Sequence, residues 1–401
     1  MSTRSRASKI PLQSKRIAAV QAPAIPIVAD WIRATPGTIS LGQGVVGYGP
    51  PPQAIDRIRD FLAEPESHRY QAVHGIPPLL ELLSRKLRND NGVQVGADRC
   101  LIVTAGGNMA FFNAILAIAD TGDEVIITSP YYFNHEMAIA IAAARAVPVA
   151  TDERYQLRLD ALEAAITPRT RAIVTISPNN PTGAVYPEQD LRAVNELCAR
   201  CGLYHISDEA YEYFTFNGTS HFSPASIPGS EAHTIGLYSL SKSHGFASWR
   251  IGYMVAPEHL FEPIRKIQDT NLICPPVISQ WAAVGALEAG RTYCTDRLPG
   301  MVAVRRVVLD RLGAAEDVCR VPAADGAFYV LLNVAGKLDS MGVAERLVRE
   351  HRVAVMPGST FGVSDRCALR VSYGPLRPDT AAEGIERLIR GLRAIATEQR
   401  S

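Results

Sequence analysis

Ser239-Leu240-Ser241-Lys242-Ser243-His244-Gly245-Phe246-Ala247-Ser248-Trp249-Arg250-Ile251-Gly252 decides the reading of this chain. It holds one lysine, with small hydroxyl residues before it and a cation, Arg250, eight positions on. Upstream, residues 234–238 read as a short buried strand. A lysine at a strand end, walled by apolar and small residues, is disfavoured as an ammonium and can be held neutral. A neutral amine is what Schiff-base chemistry requires. Ser239, Ser241 and Arg250 could hold the phosphate of a group bonded to that amine, because a guanidinium fork matches phosphate oxygens. Serine, lysine and arginine also build ordinary loops, so the stretch takes its meaning from what surrounds it.

Around it, strands and helices alternate. Apolar runs at 101–104, 124–128, 146–151, 171–176, 203–207 and 253–256 read as strands, and 109–119, 136–144, 160–166 and 187–201 as helices. Such alternation predicts an α/β fold, a mostly parallel sheet with helices on both faces. Ligands of such sheets gather beyond the carboxyl ends of the strands. Gly106, Gly107 and Asn108 form a tight turn at one such end, feeding a helix N-terminus that suits an anion. Tyr132, Asn180, Asp208, Tyr211 and Lys242 fall at others. Before this region, 53–62 and 79–89 read as helices. After it, helical patterns at 277–289 and 297–312 lead to a smaller α+β unit, with strands at 327–332, 353–355 and 368–372 and helices at 342–351 and 380–396. The division expected is an N-terminal arm contributing to the small domain (1–48), a large domain (49–290) and a small C-terminal domain (291–401).

Composition excludes several function classes. The formal net charge is +1, which gives no electrostatic reason to expect nucleic acid or an anionic membrane as partner. No apolar run approaches the ~20 residues that span a bilayer. The first 29 residues lack Asp and Glu and carry Arg4, Arg6, Lys9, Lys15 and Arg16, which suits a mobile arm or a targeting segment. Seven cysteines, an odd count in a long chain, suit the reducing cytoplasm. Cys198-Ala-Arg-Cys201 is a lone CxxC with no second pair for zinc, so both are expected to be buried thiols and no metal is expected. Gly42-Gln-Gly44-Val-Val-Gly47 fits GxGxxG by letter, but Tyr48-Gly49-Pro50-Pro51-Pro52 comes next, so no helix starts at the third glycine and a nicotinamide site is rejected.

Ser-x-Ser-Lys with arginine eight residues on, Asn180-Pro-Thr-Gly183, Asp208-Glu-Ala-Tyr211 and Leu-Arg370-Val-Ser stand in an order that resembles the class I aminotransferases, pyridoxal-phosphate enzymes of fold type I. The resemblance covers nearly the whole chain. It implies that Lys242 bonds the cofactor, Asp208 pairs with its ring nitrogen, and Asn180 and Tyr211 bond its ring oxygen. Tyr132 would lie on the ring face; Gly106, Gly107, Asn108, Ser239, Ser241 and Arg250 would hold the phosphate. Arg370 would bind the substrate α-carboxylate and Gly44 would belong to a loop closing over substrate. Tyr70 would cross to a partner's phosphate, implying a homodimer with shared sites. The function implied is transfer of an amino group from an L-amino acid to a 2-oxo acid. Elimination, decarboxylation, cyclisation or oxidation on the same scaffold, or a catalytically dead binding protein, are the alternatives, since fold does not fix reaction. Tyr70 and Tyr132 could instead be packed aromatics, and Arg370 a surface arginine.

The chain departs from the pattern in two places. Ser248 stands where glycine usually precedes Trp-Arg. Gly44-Val45-Val46-Gly47 lacks the proline and acid of the usual glycine loop. The Leu-Gly-Gln-Gly opening of that loop is similar to kynurenine and glutamine transaminases, which points to an aromatic or neutral substrate. No second arginine for a side-chain carboxylate is evident.

Overall fold

Continuously buried runs set the central sheet. The structure, a computed structural model, describes residues 13–322, 324–336 and 338–398; Arg4, Arg6 and Lys9 of the basic N-terminus lie outside them. In chain order the strands are β1 (Ile39–Ser40), β2 (Arg99–Thr104), β3 (Glu124–Ser129), β4 (Arg145–Ala150), β5 (Thr170–Ile176), β6 (Tyr204–Asp208), β7 (Thr234–Ser239) and β8 (Gly252–Pro257). The seven from β2 to β8 form one sheet in the order β2-β8-β7-β6-β5-β3-β4. Only β8 runs against its neighbours there. β2, β7 and β8 are buried along their whole length, as strands covered on both faces must be. The edge strand β4 is largely open and carries Pro148, a residue tolerated where no further ladder is needed.

The period-2 alternation divides the apolar side chains between two layers. Cys100, Ile102, Leu237 and Met254 pack with Phe111, Ile115 and Ile264 of the helices Gly107–Ile118 and Phe261–Asn271. Leu101, Val103, Tyr238 and Tyr253 face the other way, onto the helices Pro52–Ala63, Pro77–Lys86 and Val277–Ala289. Beside these, Ile126 and Ile173 pack with Val194 and Leu197 of the helix Glu188–Cys201.

The remaining strands are β9 (Cys319–Arg320), β10 (Tyr329–Val334), β11 (Val353–Ala354), β12 (Met356–Pro357) and β13 (Ala368–Ser372). An antiparallel sheet takes the order β12-β13-β10-β9. Its core holds Val330, Leu332, Leu369 and Val371 against Val304, Val308, Leu388 and Leu392 of the helices Leu298–Gly313 and Pro378–Glu398. β1 pairs in parallel with β11, so N-terminal residues reach this unit, and Leu41 enters the same core.

Several boundaries differ from the sequence reading for local reasons. Helices begin at Pro52, Pro77 and Pro378, earlier than expected, because proline suits the first helical turn where its missing N–H is not needed. The helix expected over 136–144 runs over Phe133–Ile141, and Ala143 then turns left-handed at φ 62°. The strand expected from 327 starts at Tyr329, because Ala327 has φ 54°. The strand expected over 353–355 ends at Ala354, and a separate strand, β12, starts at Met356 with a different partner. Of the two CxxC thiols, Cys198 is buried but Cys201 is exposed; it is the last helical residue before left-handed Gly202 and points off the packed stripe.

Helices Val277–Ala289 and Pro52–Ala63 touch backbone to backbone at Gly285, where a Cβ would overlap the Gln53 carbonyl. Gly285→Ala should therefore lower unfolding stability by about 1–3 kcal/mol in a urea titration. Gly96→Ala, in open space, should leave the midpoint unchanged.

Candidate active site

The carboxyl ends of β2, β3, β5, β6 and β7 lie at one edge of the sheet, and most of the site is built from the residues just beyond these five strands. After β2 the chain turns at Gly106 with φ 86° and enters the helix Gly107–Ile118. A Cβ at Gly106 would overlap the Arg250 guanidinium, so glycine lets the cation lie on the turn. Arg250 Nη1 donates to the Ala247 carbonyl at 2.9 Å and Nη2 to Ala105 at 3.3 Å. Ser239 and Ser241 are buried beneath it, and the Ser239 hydroxyl accepts from the Ser241 N–H at 3.1 Å. A helix start, two hydroxyls and a guanidinium together form a cradle for a phosphate-sized anion.

Across the cleft, Asp208 ends β6. Its Oδ1 accepts from the Ala210 N–H at 3.1 Å, and His135 Nε2 lies 3.1 Å from Oδ2. His135 is buried and stacks on Phe111 with centroids 3.8 Å apart. Its Nδ1 has no partner, and its Nε2 is the ring nitrogen aimed at the carboxylate. Three phenols stand near the acid and the cradle, Tyr132 and Tyr211 lining the same cleft and Tyr329 the adjoining one. Tyr132 accepts from Asn134 Nδ2 at 2.8 Å and contacts Asn108 Oδ1 at 3.3 Å. Tyr211 and Tyr329 share a hydroxyl–hydroxyl bond of 2.8 Å, and Asn180 Nδ2 lies 3.5 Å from the Tyr211 oxygen. Burial raises the pKa of all three phenols, so they are neutral donors at pH 7.

Lys242 comes directly after β7. Its Nζ donates to the Gly44 carbonyl at 2.5 Å. Its pKa falls from 10.5 to about 8, first through burial of the amine and then through the nearby Arg370 and Arg250, with Asp208 opposing. Arg370, on β13, is 3% exposed. Its Nη1 donates to Asn180 Oδ1 and its Nη2 to the Gly42 carbonyl, each at 2.8 Å. The guanidinium lies over the Tyr329 ring at 4.6 Å and the Phe361 ring at 5.0 Å.

Thus Gly107, Asn108, Tyr132, Asn180, Asp208, Tyr211, Ser239, Ser241, Lys242 and Arg250 line one cleft of about 570 Å3. An adjoining cleft of about 980 Å3 carries Gly44 and Arg370 and shares Tyr132, Asn180, Tyr211 and Lys242. Its outer wall is apolar, with Ile25, Val28 and Ile32 of the helix Ala24–Ala34 facing Phe133 and Met356. The surface reading of Arg370 fails, because the residue is buried. Tyr70 is not brought to this site within the chain; it is 80% exposed, so the packed-aromatic reading fails for it as well. It lines a separate surface cleft with Leu272 and Ile278. Tyr329, His135 and Asn134 belong to the site and carry no sequence signal of their own. Only the run Tyr131-Tyr132-Phe133-Asn134-His135, dense in aromatic and polar groups at a strand end, could have pointed to two of them.

A family model of class I and II aminotransferases matches residues 36–388. The chain is 34% identical to an aspartate/prephenate aminotransferase of Thermus thermophilus over 88% of its own length and 91% of that protein. It is 32% identical to an aromatic aminotransferase of Arabidopsis thaliana over 94% of its length and 96% of that protein. Among solved structures it superposes on a Thermus thermophilus aspartate aminotransferase mutant with a TM-score of 0.88 at 33% identity, covering 95% of this chain and 100% of the other.

Because only the unprotonated amine reacts, acylation of Lys242 in the cofactor-free protein should rise with pH through a midpoint of about 8. Mass spectrometry of the labelled peptide across a pH series reads it, and a midpoint near the ordinary 10.5 would contradict the environment described.

Proposed function

The chain belongs to the class I and II aminotransferases, enzymes that work with pyridoxal phosphate, and from that premise we infer that Lys242 carries the cofactor as a Schiff base while the two clefts divide cofactor from substrate. The donor set fits the group. A cradle for phosphate, a carboxylate facing it across the cleft and phenols nearby match a phosphorylated pyridine with a ring hydroxyl. When bound, the cofactor supplies an electron sink for the pair released at the substrate Cα.

The residues of the chain supply the rest. Asp208 would hold a proton at the ring nitrogen, with His135 orienting that carboxylate. Asn180 and Tyr211 would hydrogen-bond the ring oxygen, and Tyr132 would cover the ring face. Arg370 pairs with the α-carboxylate by two parallel charge-assisted bonds and so fixes the direction of the Cα–H bond. The Lys242 amine, at the end of β7 beside the cleft, would take the Cα proton and return it. The overall reaction these residues would serve is transfer of the amino group to a 2-oxo acid.

The observation that carries the substrate class is the apolar wall of Ile25, Val28, Ile32, Phe133 and Met356 beside Arg370. It suits an aromatic or other neutral side chain, and the Arabidopsis relative is named an aromatic aminotransferase. We divide the chain into an arm with part of the small domain (1–48), a large domain (49–290) and a small domain (291–401). Exposed Tyr70, Ile273 and Ile278 suit burial in a two-fold dimer in which Tyr70 serves the neighbouring site. The cysteines in the described residues are all free, in keeping with a cytoplasmic enzyme, and no helix there is long and apolar enough to cross a membrane.

Lys242→Ala should abolish the visible absorbance of the lysine-bound cofactor. Asp208→Ala should keep cofactor but lower turnover by about two orders of magnitude or more. Normal turnover in the second variant would overturn the ring-nitrogen assignment. In single-turnover assays, phenylalanine should exceed aspartate in kcat/KM by at least about tenfold, and the reverse order would overturn the substrate class.

A further inference from the structure

The glycine loop reaches the active site from one side and the lysine turn from another, and one side chain joins them. Tyr48 is half-buried, and its hydroxyl lies 3.1 Å from the main-chain carbonyl of Lys242 and 3.3 Å from that of Ser243. Cys294 Sγ approaches the same hydroxyl at 3.6 Å. The ring is fixed edge-on to Tyr293 at 5.8 Å, and Arg297 lies over both rings. The contact is close along its length: a Cβ at Gly245 would press on the carbonyls of Tyr48 and Gly49. Four residues before Tyr48, Gly44 accepts from the Lys242 amine. Two further carbonyls of the loop accept from the substrate side, Gly42 from Arg370 and Gln43 from Ser372.

We propose that Tyr48 is a positioning residue for the reaction, its hydroxyl coupling the loop that meets substrate to the peptide that seats the reactive amine. Both ends of a short segment are then fixed to one lysine, Gly44 to its amine and Tyr48 to its carbonyl. A shift of the loop on substrate binding reaches the amine through the backbone as well as through the Gly44 carbonyl. The groups facing the amine are Arg370, Arg250 and Asp208, and those facing the Tyr48 hydroxyl are Cys294, Arg297 and Tyr293. The hydroxyl keeps its proton and donates, because burial pushes its pKa well above the ordinary value. This inference rests on Lys242 as the cofactor lysine, which the absorbance of Lys242→Ala tests separately.

Tyr48→Phe keeps the ring contacts and removes the bond. In cofactor-free protein, the acylation midpoint of Lys242 should move up by about one pH unit as the loosened loop admits water to the amine. In loaded enzyme, kcat should fall about tenfold with the amino-acid KM within about twofold, since orientation and not binding is lost. Tyr293 donates to the Gly49 carbonyl at 2.7 Å, anchoring the same loop without touching the lysine. Tyr293→Phe should leave midpoint and kcat unchanged. The proposal is overturned if Tyr48→Phe changes only the melting temperature, or if Tyr293→Phe reproduces both of its effects.

Discussion

An amine held out of water is the constraint on which the site depends. Lowering the Lys242 pKa from 10.5 to about 8 corresponds to roughly 3 kcal/mol of bias toward the neutral form. Burial supplies the largest part, and two arginines, Arg370 and Arg250, add to it from opposite ends of the cleft. Neither arginine is there for that purpose alone. On the proposed assignment one meets a carboxylate and the other a phosphate, and each also lowers the lysine pKa. The charges proposed to recognise the ligands would thus also prepare the amine.

The second dependence is mechanical. Arg370 belongs to the four-stranded sheet and Asn180 lies just past a strand of the seven-stranded one, yet the two meet at 2.8 Å. The other branch of the guanidinium holds Gly42, whose loop is continuous with β1. Three parts of the chain, far apart in sequence, converge on one planar cation that lies over Tyr329 and Phe361. An arginine is suited to this because its donors are fixed in a plane and its faces accept aromatic rings. Tyr211 strengthens the junction from below, since it lines the cofactor cleft and also packs in the core of the smaller sheet.

Much of this architecture is legible in the amino-acid sequence. Lys242, Asp208 and Asn180 stand just beyond apolar runs, and a polar residue at that position of a parallel sheet has few other destinations. Residues that act from inside an apolar run are hidden. Tyr329 opens β10 and reads as one more core aromatic. His135 depends on Asp208, 73 positions away, and no local pattern links them. Tyr48 lies among glycines and prolines, which signal only a turn. The motif order singles out Tyr70, but a single chain leaves it in solvent. Cys201 departs from expectation because a helix end exposes what the periodicity alone would bury.

The Tyr211–Tyr329 pair carries a last consequence. Two hydroxyls 2.8 Å apart share one bond, so one proton lies between them and the other is left to point elsewhere. Within the pair itself, either hydroxyl can be the donor. Once an acceptor arrives beside Tyr211, only one arrangement remains, with Tyr329 donating to Tyr211 and Tyr211 donating outward. The glycine at position 44 leaves room for the Tyr329 hydroxyl, since a Cβ there would press on it. Occupancy of the cleft thereby gives two buried phenols a common sense of direction that neither possesses alone, like a pair of compass needles aligned by a single passing magnet.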